Sequence, residues 1–327
     1  MGSVGRNPAT VAHAQALKEL LSGTEAKILL SQDDGYSKSV KRWSAAAEKP
    51  AGIAFVPTST EDVAIAVKYA SEHGLDVAVH GGGHSTAGVS STDGGLLIDL
   101  QGGMRNVEVD PETQQIRADG GCIWRDVNDA AWDHRLAVVG GGVDDTGVGG
   151  LTLGGGYGVL SGQQGLVIDN LLEATVVLAN GEIVKASDKE NTDLFWALRG
   201  AGQNFGVVTE FVFQARRQDE AYIGTMLFAP TPDNITKVVN WCNEVFEVKD
   251  TSEGFQSKDQ GLLFTLLIIV KIPQAGNQAM VLLIHTYNGS EEEGKKLLQP
   301  LFDANPIMQN MATVSYTHLT LPTILRV

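Results

Sequence analysis

The sequence predicts an α+β protein of two domains, and three observations predict it. Helix-spaced stretches alternate with short apolar strands through the first two-thirds of the chain. Most of the 38 glycines lie in that part, and near Gln214–Asp219 the texture turns glycine-poor and more charged. At 327 residues, with 43% apolar and 19% charged content, the chain has material for a sizeable core.

The elements follow in order. Ser59–Gly74 is predicted helical: Ser59 and Asp62 are spaced as a capping box, Val63, Val67 and Ala70 keep one face, and Gly74 stops it. Asp76–His80 is a strand running into Gly81-Gly82-Gly83-His84-Ser85, and Leu96–Leu100 is a second strand. Ile123–Leu136 is predicted helical. It precedes the densest glycine segment, Gly140–Gly158, with ten glycines in nineteen residues. Leu172–Leu178 and Glu182–Ala186 form a hairpin around Asn180-Gly181, a pair that supplies the positive φ of a tight turn. Asp193–Leu198 is a short helix with Phe195 and Trp196 expected in the core, and Val207–Phe213 is a strand. Beyond the boundary, helices are expected at Pro232–Val248 and Ser290–Phe302, and strands at Gly261–Ile272 and Met280–Tyr287.

The formal net charge of −15 argues against nucleic acid or an anionic membrane as partner, because both need clustered Lys and Arg. Cys122 and Cys242 are far apart, so no disulfide framework or zinc site is indicated. The most apolar run, Leu262–Val270, is nine residues long and suits a strand rather than a membrane helix. The N-terminus lacks a signal-peptide core, and Arg6 stands where myristoylation needs Ser or Thr, so an intracellular, cytoplasmic location is expected, with secretion left open.

Two glycine loops, Gly81–Gly83 and Gly147–Gly158, carry the chemistry. Glycine lets backbone N–H groups approach a ligand and adopt φ > 0, which suits a pyrophosphate held without basic side chains. The alternative is that these glycines only make tight turns and close packing. There is no G-x-G-x-x-G. Gly289–Lys295 fits the first part of a P-loop, but Lys296 replaces the Ser/Thr and Glu291–Glu293 would repel phosphate. His84 ends the triple-glycine loop after a strand, where an imidazole faces whatever the loop binds.

Four segments carry a specific resemblance: VAVHGGGHSTAG (Val77–Gly88), TGVGGLTLGGGYG (Thr146–Gly158), GLVIDNLLEATVVLANGEI (Gly165–Ile183) and NTDLFWALRGAGQNFGVVTEF (Asn191–Phe211). Over about residues 30–215 the chain resembles the berberine bridge enzyme-like FAD-linked oxidases of the vanillyl-alcohol oxidase superfamily. The resemblance implies a p-cresol methylhydroxylase-type FAD-binding domain of two α/β subdomains (1–215). An incomplete substrate domain with an antiparallel sheet and helices would follow (216–313). It also implies a covalent bond from His84 to the 8α-methyl of FAD, since a neutral imidazole can add to the activated 8α carbon. Gly81, Gly82, Gly83 and Ser85 would contact the pyrophosphate. Thr146, Gly149, Gly150, Gly154 and Gly155 would line the second side of FAD, and Asp169, Asn170 and Val207 would lie near its ribityl and adenine parts. Asp169-Asn170 could equally cap the strand at Leu171. Many members carry a second link from a cysteine; here that place falls at about Val143, so the chain resembles the mono-covalent subgroup, with Cys122 a small buried residue.

Family members run well beyond this length. The tail VSYTHLTLPTILRV (Val314–Val327) has no helical or alternating period and looks like translated sequencing adapter, so 314–327 is expected to be non-native; a family strand starting at Tyr316 is the alternative. The implied function is an oxidase that takes a hydride from a small alcohol, sugar, amine or secondary metabolite bound over the flavin between the domains, with O2 as acceptor and H2O2 as product. No residue is assigned as the general base. The alternatives are a flavin-binding fragment without turnover and a glycine-rich nucleotide module without redox chemistry.

Overall fold

The computed structural model describes residues 7–247, 249–251, 254–272 and 277–315. It divides into two units: Met1–Tyr157 with Leu166–Arg216, and Gly158–Gly165 with Arg217–Val327.

The first unit opens with α1 (Val11–Leu20), β1 (Lys27–Leu29), α2 (Tyr36–Val40), β2 (Ile53–Val56) and α3 (Thr60–Glu72), then β3 (Val77–His80) and β4 (Leu96–Asp99). The cap predicted for α3 is present. The Asp62 amide donates to Ser59 Oγ at 3.1 Å, and Asp62 Oδ2 accepts from the Ser59 amide and from both the amide and hydroxyl of Thr58. The strands form a sheet in the order β1-β2-β4-β3, with β2 and β3 parallel to β4. Period-two alternation buries both of its faces. Ile53, Phe55, Leu96 and Ile98 pack with α1 and α3, while Ala54, Ala78 and Leu97 pack with Tyr36 and Ala51.

Next come α4 (Leu100–Gly103), β5 (Val107–Asp110), β6 (Gln115–Asp119), α5 (Trp124–Trp132), β7 (Leu136–Ala137), α6 (Val148–Leu153), β8 (Leu171–Val177), β9 (Ile183–Ser187), the helix Thr192–Ala201 and β10 (Val207–Gln214). An antiparallel sheet runs β5-β6-β10-β8-β9. Val177 and Val207 share a core with α3, which makes that helix a layer joining the two sheets. The Asn-Gly hairpin is present, with Gly181 at φ 81° and the Leu178 amide donating to Glu182 O at 2.9 Å.

Three expectations are corrected in this unit. The helix expected over Ile123–Leu136 ends at Trp132, because Arg135 takes the left-handed φ of 55° and the chain re-enters a strand. The helix at Asp193–Leu198 extends to Ala201 across a break at Arg199 and Gly200, the latter at φ 130°. Phe195 is buried at 3% exposure, but Trp196 is 79% exposed on the opposite face.

In the second unit an antiparallel sheet orders Leu263–Ile272, Gln278–Tyr287, Ala221–Phe228 and Met308–Val314. Helices Pro232–Phe246 and Glu291–Phe302 supply Val238, Trp241, Leu298 and Leu301 to the core it shares with Tyr222, Phe228 and Leu283. The strands Ala221–Phe228 and Met308–Val314 were not anticipated. Val314 pairs with Ala221, so the tail expected to be non-native begins inside the sheet; residues 316–327 lie outside the described residues. No helix among the described residues is long and apolar enough to cross a membrane.

Candidate functional site

The two glycine loops of the first unit meet backbone to backbone. A Cβ on Gly82 would lie 2.1 Å from the Gly147 nitrogen, and one on Gly147 would lie 2.2 Å from the Gly82 nitrogen. Packing alone therefore demands these two glycines. The second loop is pinned at the start of α5, where Trp124 N donates to Thr146 O at 3.0 Å and Val148 N to Cys122 O at 2.9 Å.

The amides of Gly81, Gly82, Gly83, His84 and Ser85 find no backbone acceptor among the described residues. Five consecutive N–H groups without a backbone acceptor, with Gly83 at φ 69°, are the kind of donor set an anion can use. Beneath it lies Arg42, 5% exposed, whose guanidinium donates to the carbonyls of Ser39, Lys41 and Ser90. Burial lowers its pKa, and the charges of Asp99 and Glu48 oppose that shift. Asp99 Oδ1 is also 2.8 Å from His80 Nδ1. A Cβ on Gly83 would come within 3.2 Å of Arg42 Cδ and 2.9 Å of His80 Nε2. A buried arginine thus lies against the loop, with its guanidinium spent on the carbonyls of Ser39, Lys41 and Ser90.

His84 stands at the end of the donor set. Its ring stacks on Trp43, with centroids 5.8 Å apart and planes 22° from parallel, and its Nε2 is 3.2 Å from Asp145 Oδ1. Trp43 N donates to Gly83 O at 3.2 Å, which ties the aromatic residue to the same loop.

The other expected residues divide. A Cβ on Gly150 would meet nothing within 4 Å, whereas one on Gly149 would come 3.4 Å from Gly120 O. Gly154 and Gly155 close α6, their amides donating to Leu151 O and Thr152 O; Gly155, at φ 109°, accepts from Ile168 N at 3.1 Å. Asp169 accepts from Leu166 N at 2.7 Å and pairs with Arg199 at 3.4 Å. Asn170, 2% exposed, donates to Leu166 O at 2.9 Å. Both side chains thus hold the turn entering β8, the capping role weighed from the sequence. Val207 is 6% exposed, in the core with Val177 and paired with it in the sheet. Sequence reasoning did not single out Trp43, Arg42 or Asp145. Only Asp145 carried a local hint, as an acidic residue beside the second glycine loop.

A family model for the FAD binding domain matches residues 51–187. The FAD-linked oxidoreductase pgmH of Aspergillus terreus is 35% identical over 319 residues, 96% of this chain and 63% of that protein. The chain is a homologue of the FAD-linked oxidoreductases. It spans about three-fifths of the length of the curated relatives it matches over nearly its whole length. (R)-6-hydroxynicotine oxidase of Paenarthrobacter nicotinovorans is 39% identical over 191 residues, 58% of this chain and 41% of the relative. Among solved structures, 6-hydroxy-D-nicotine oxidase from Arthrobacter nicotinovorans superposes with a TM-score of 0.81 at 28% identity, covering 90% of this chain and 63% of that one. Chitooligosaccharide oxidase gives a TM-score of 0.76 at 25% identity, covering 93% and 62%. These likenesses bear out the p-cresol methylhydroxylase-type fold.

The residues fit the FAD that this homologue's domain binds. The uncommitted amides of 81–85 match a pyrophosphate, and the open space over Gly150 is clearance that a Cβ would fill. Cys122, expected to be a small buried residue, is fully buried with Sγ donating to Asn106 O at 3.3 Å. Burial pushes the Cys122 thiol up to about 12, which keeps it protonated. Among the described residues no group of three His, Cys, Asp or Glu could hold a metal ion.

Proposed function

We propose that the chain carries FAD through one covalent bond from His84. The intact enzyme would act as an oxidase that removes a hydride from a small alcohol, sugar, amine or secondary metabolite, with O2 as acceptor and H2O2 as product. The observation that carries the reading is the His84 imidazole at the end of five uncommitted amides, framed by Trp43 and Asp145. Bound FAD supplies the two-electron acceptor. The protein's part is to hold the pyrophosphate on the amides of 81–85, to leave room over Gly150, and to present an imidazole in a fixed orientation. Relatives named as oxidases of 6-hydroxynicotine and of chitooligosaccharide support the amine and sugar classes.

The test is acid precipitation of the protein after incubation with FAD. Wild type is expected to give a yellow pellet and a fluorescent band on a denaturing gel, and His84→Ala neither. A colourless wild-type pellet overturns the covalent reading. Oxidase activity is read separately by coupling H2O2 formation to a peroxidase across alcohols, sugars and amines.

A further inference from the structure

We propose that His80 sets the affinity for FAD, as the one titrating member of a buried charge cluster against the 81–85 loop. The cluster of His80, Asp99 and Arg42 is neutral when His80 is neutral and carries one positive charge when His80 is protonated. FAD binds the protonated form more tightly. The inference rests on the pyrophosphate lying on the amides of 81–85 and is independent of the bond from His84.

Strand register builds the cluster. β3 and β4 run parallel, and their pairing places His80 beside Asp99 at the carboxyl ends of both strands, the end at which open α/β sheets bind ligands. The glycine loop begins at the next residue. His80 and Asp99 are each 4% exposed, and His80 Nδ1 lies 2.8 Å from Asp99 Oδ1. An ionised carboxylate only accepts, so Nδ1 carries the proton of this hydrogen bond, and a charged imidazole holds its second proton on Nε2. Nε2 is the atom that a Cβ on Gly83 would meet at 2.9 Å, which sets it against the loop backbone.

The facing charges are few. Asp99 also accepts from Gly102 N at 3.2 Å, and its carboxylate acts on the Arg42 guanidinium. Glu48 accepts from Arg42 N at 3.2 Å but is exposed and screened by solvent. A buried carboxylate beside an anion site opposes binding, and Arg42 offsets that repulsion. A proton on His80 then makes the cluster attractive to the doubly charged pyrophosphate. In so dry a place one such charge is worth about tenfold in affinity or more. By reciprocity, FAD binding draws a proton onto His80. Histidine changes charge between about pH 5 and 8, so affinity is highest at the acid end of that range and falls as pH rises.

The test uses flavin-free His84→Ala protein as parent, in which FAD cannot bond to that side chain, and titrates FAD by fluorescence quenching at about pH 6 and about pH 8. Binding is expected to be about tenfold tighter at the lower pH. Calorimetry in two buffers of different ionisation enthalpy should show proton uptake on binding. Adding His80→Gln should abolish both effects and leave the affinity at either pH near that of the parent at the higher pH. Adding Asp99→Asn instead removes the negative charge while keeping an acceptor for Gly102 N. That variant should bind FAD severalfold more tightly than the parent at the higher pH, a gain that a damaged fold would not give. The same pH dependence with His80→Gln, or none in the parent, overturns the inference. If the His80→Gln variant does not fold, Asp99→Asn decides, and unchanged or weaker binding by it at the higher pH overturns the inference. Parent protein that binds no FAD at either pH overturns the pyrophosphate placement and the inference with it.

Discussion

Substituting Gly150 separates a glycine kept for a ligand from one kept for packing. Gly150 lies in the first turn of α6, and a Cβ there would meet no atom within 4 Å. Without FAD, Gly150→Ala should be neutral or stabilising by up to about 1 kcal/mol, because alanine restricts the unfolded chain and favours helix. For a unit of this size that raises Tm by about 2–4 °C. With FAD the same methyl occupies cofactor space, and overpacking of about 1–3 kcal/mol weakens binding by about tenfold or more. Gly82→Ala is the counterpart. Its Cβ would lie 2.1 Å from the Gly147 nitrogen, backbone against backbone, so the loops must part and the FAD-free protein should lose about 3 kcal/mol or more. The assay is a thermal melt without FAD beside an FAD titration for each variant. Wild-type FAD affinity in Gly150→Ala would refute the assignment of that open space to the cofactor. An unchanged melt in Gly82→Ala would refute the loop crossing.

His285 is fully buried, its Nδ1 2.9 Å from Thr265 Oγ1 and its ring against Trp241, and burial lowers its pKa to about 3. The unfolded chain binds a proton near 6.5 that the folded chain refuses until about 3, so stability is present above 6.5 and falls as pH drops through that window. From pH 7 to pH 5 the loss from this residue is about 2 kcal/mol. Urea unfolding of wild type and His285→Leu at both pH values should show that difference in their pH dependence, and identical dependence would exclude it. Asp62→Ala removes the acceptor of three hydrogen bonds at the start of α3 and should cost about 1–2 kcal/mol in the urea midpoint. Asp62→Asn, which keeps an acceptor oxygen, should recover part of the loss.

Local contacts were legible in the sequence because the groups that make them lie a few residues apart. The Ser59 and Asp62 cap, the Asn180-Gly181 turn, the strand running into Gly81 and the amphipathic helices from Pro232 and from Glu291 all follow from spacing and side-chain chemistry. Resemblance across four motifs carried the FAD domain and His84. Tertiary structure alone decided what depends on distant partners. Gly82 meets Gly147 across 65 residues of chain, Trp43 stacks on His84 from 41 residues away, and Asp145 reaches the same ring from the second loop. Arg42 is buried beneath the loop only because Ser90 O, 48 residues on, accepts its donors. The same reason explains the misses. Ala221–Phe228 is held as a strand by neighbours on both edges, and Trp196 shares the apolar chemistry of Phe195 but points away from the core. Sequence by itself determined that a histidine ends a glycine loop. The fold decided that Trp43 and Asp145 flank that histidine, because those side chains come from distant parts of the chain and meet only once it is folded.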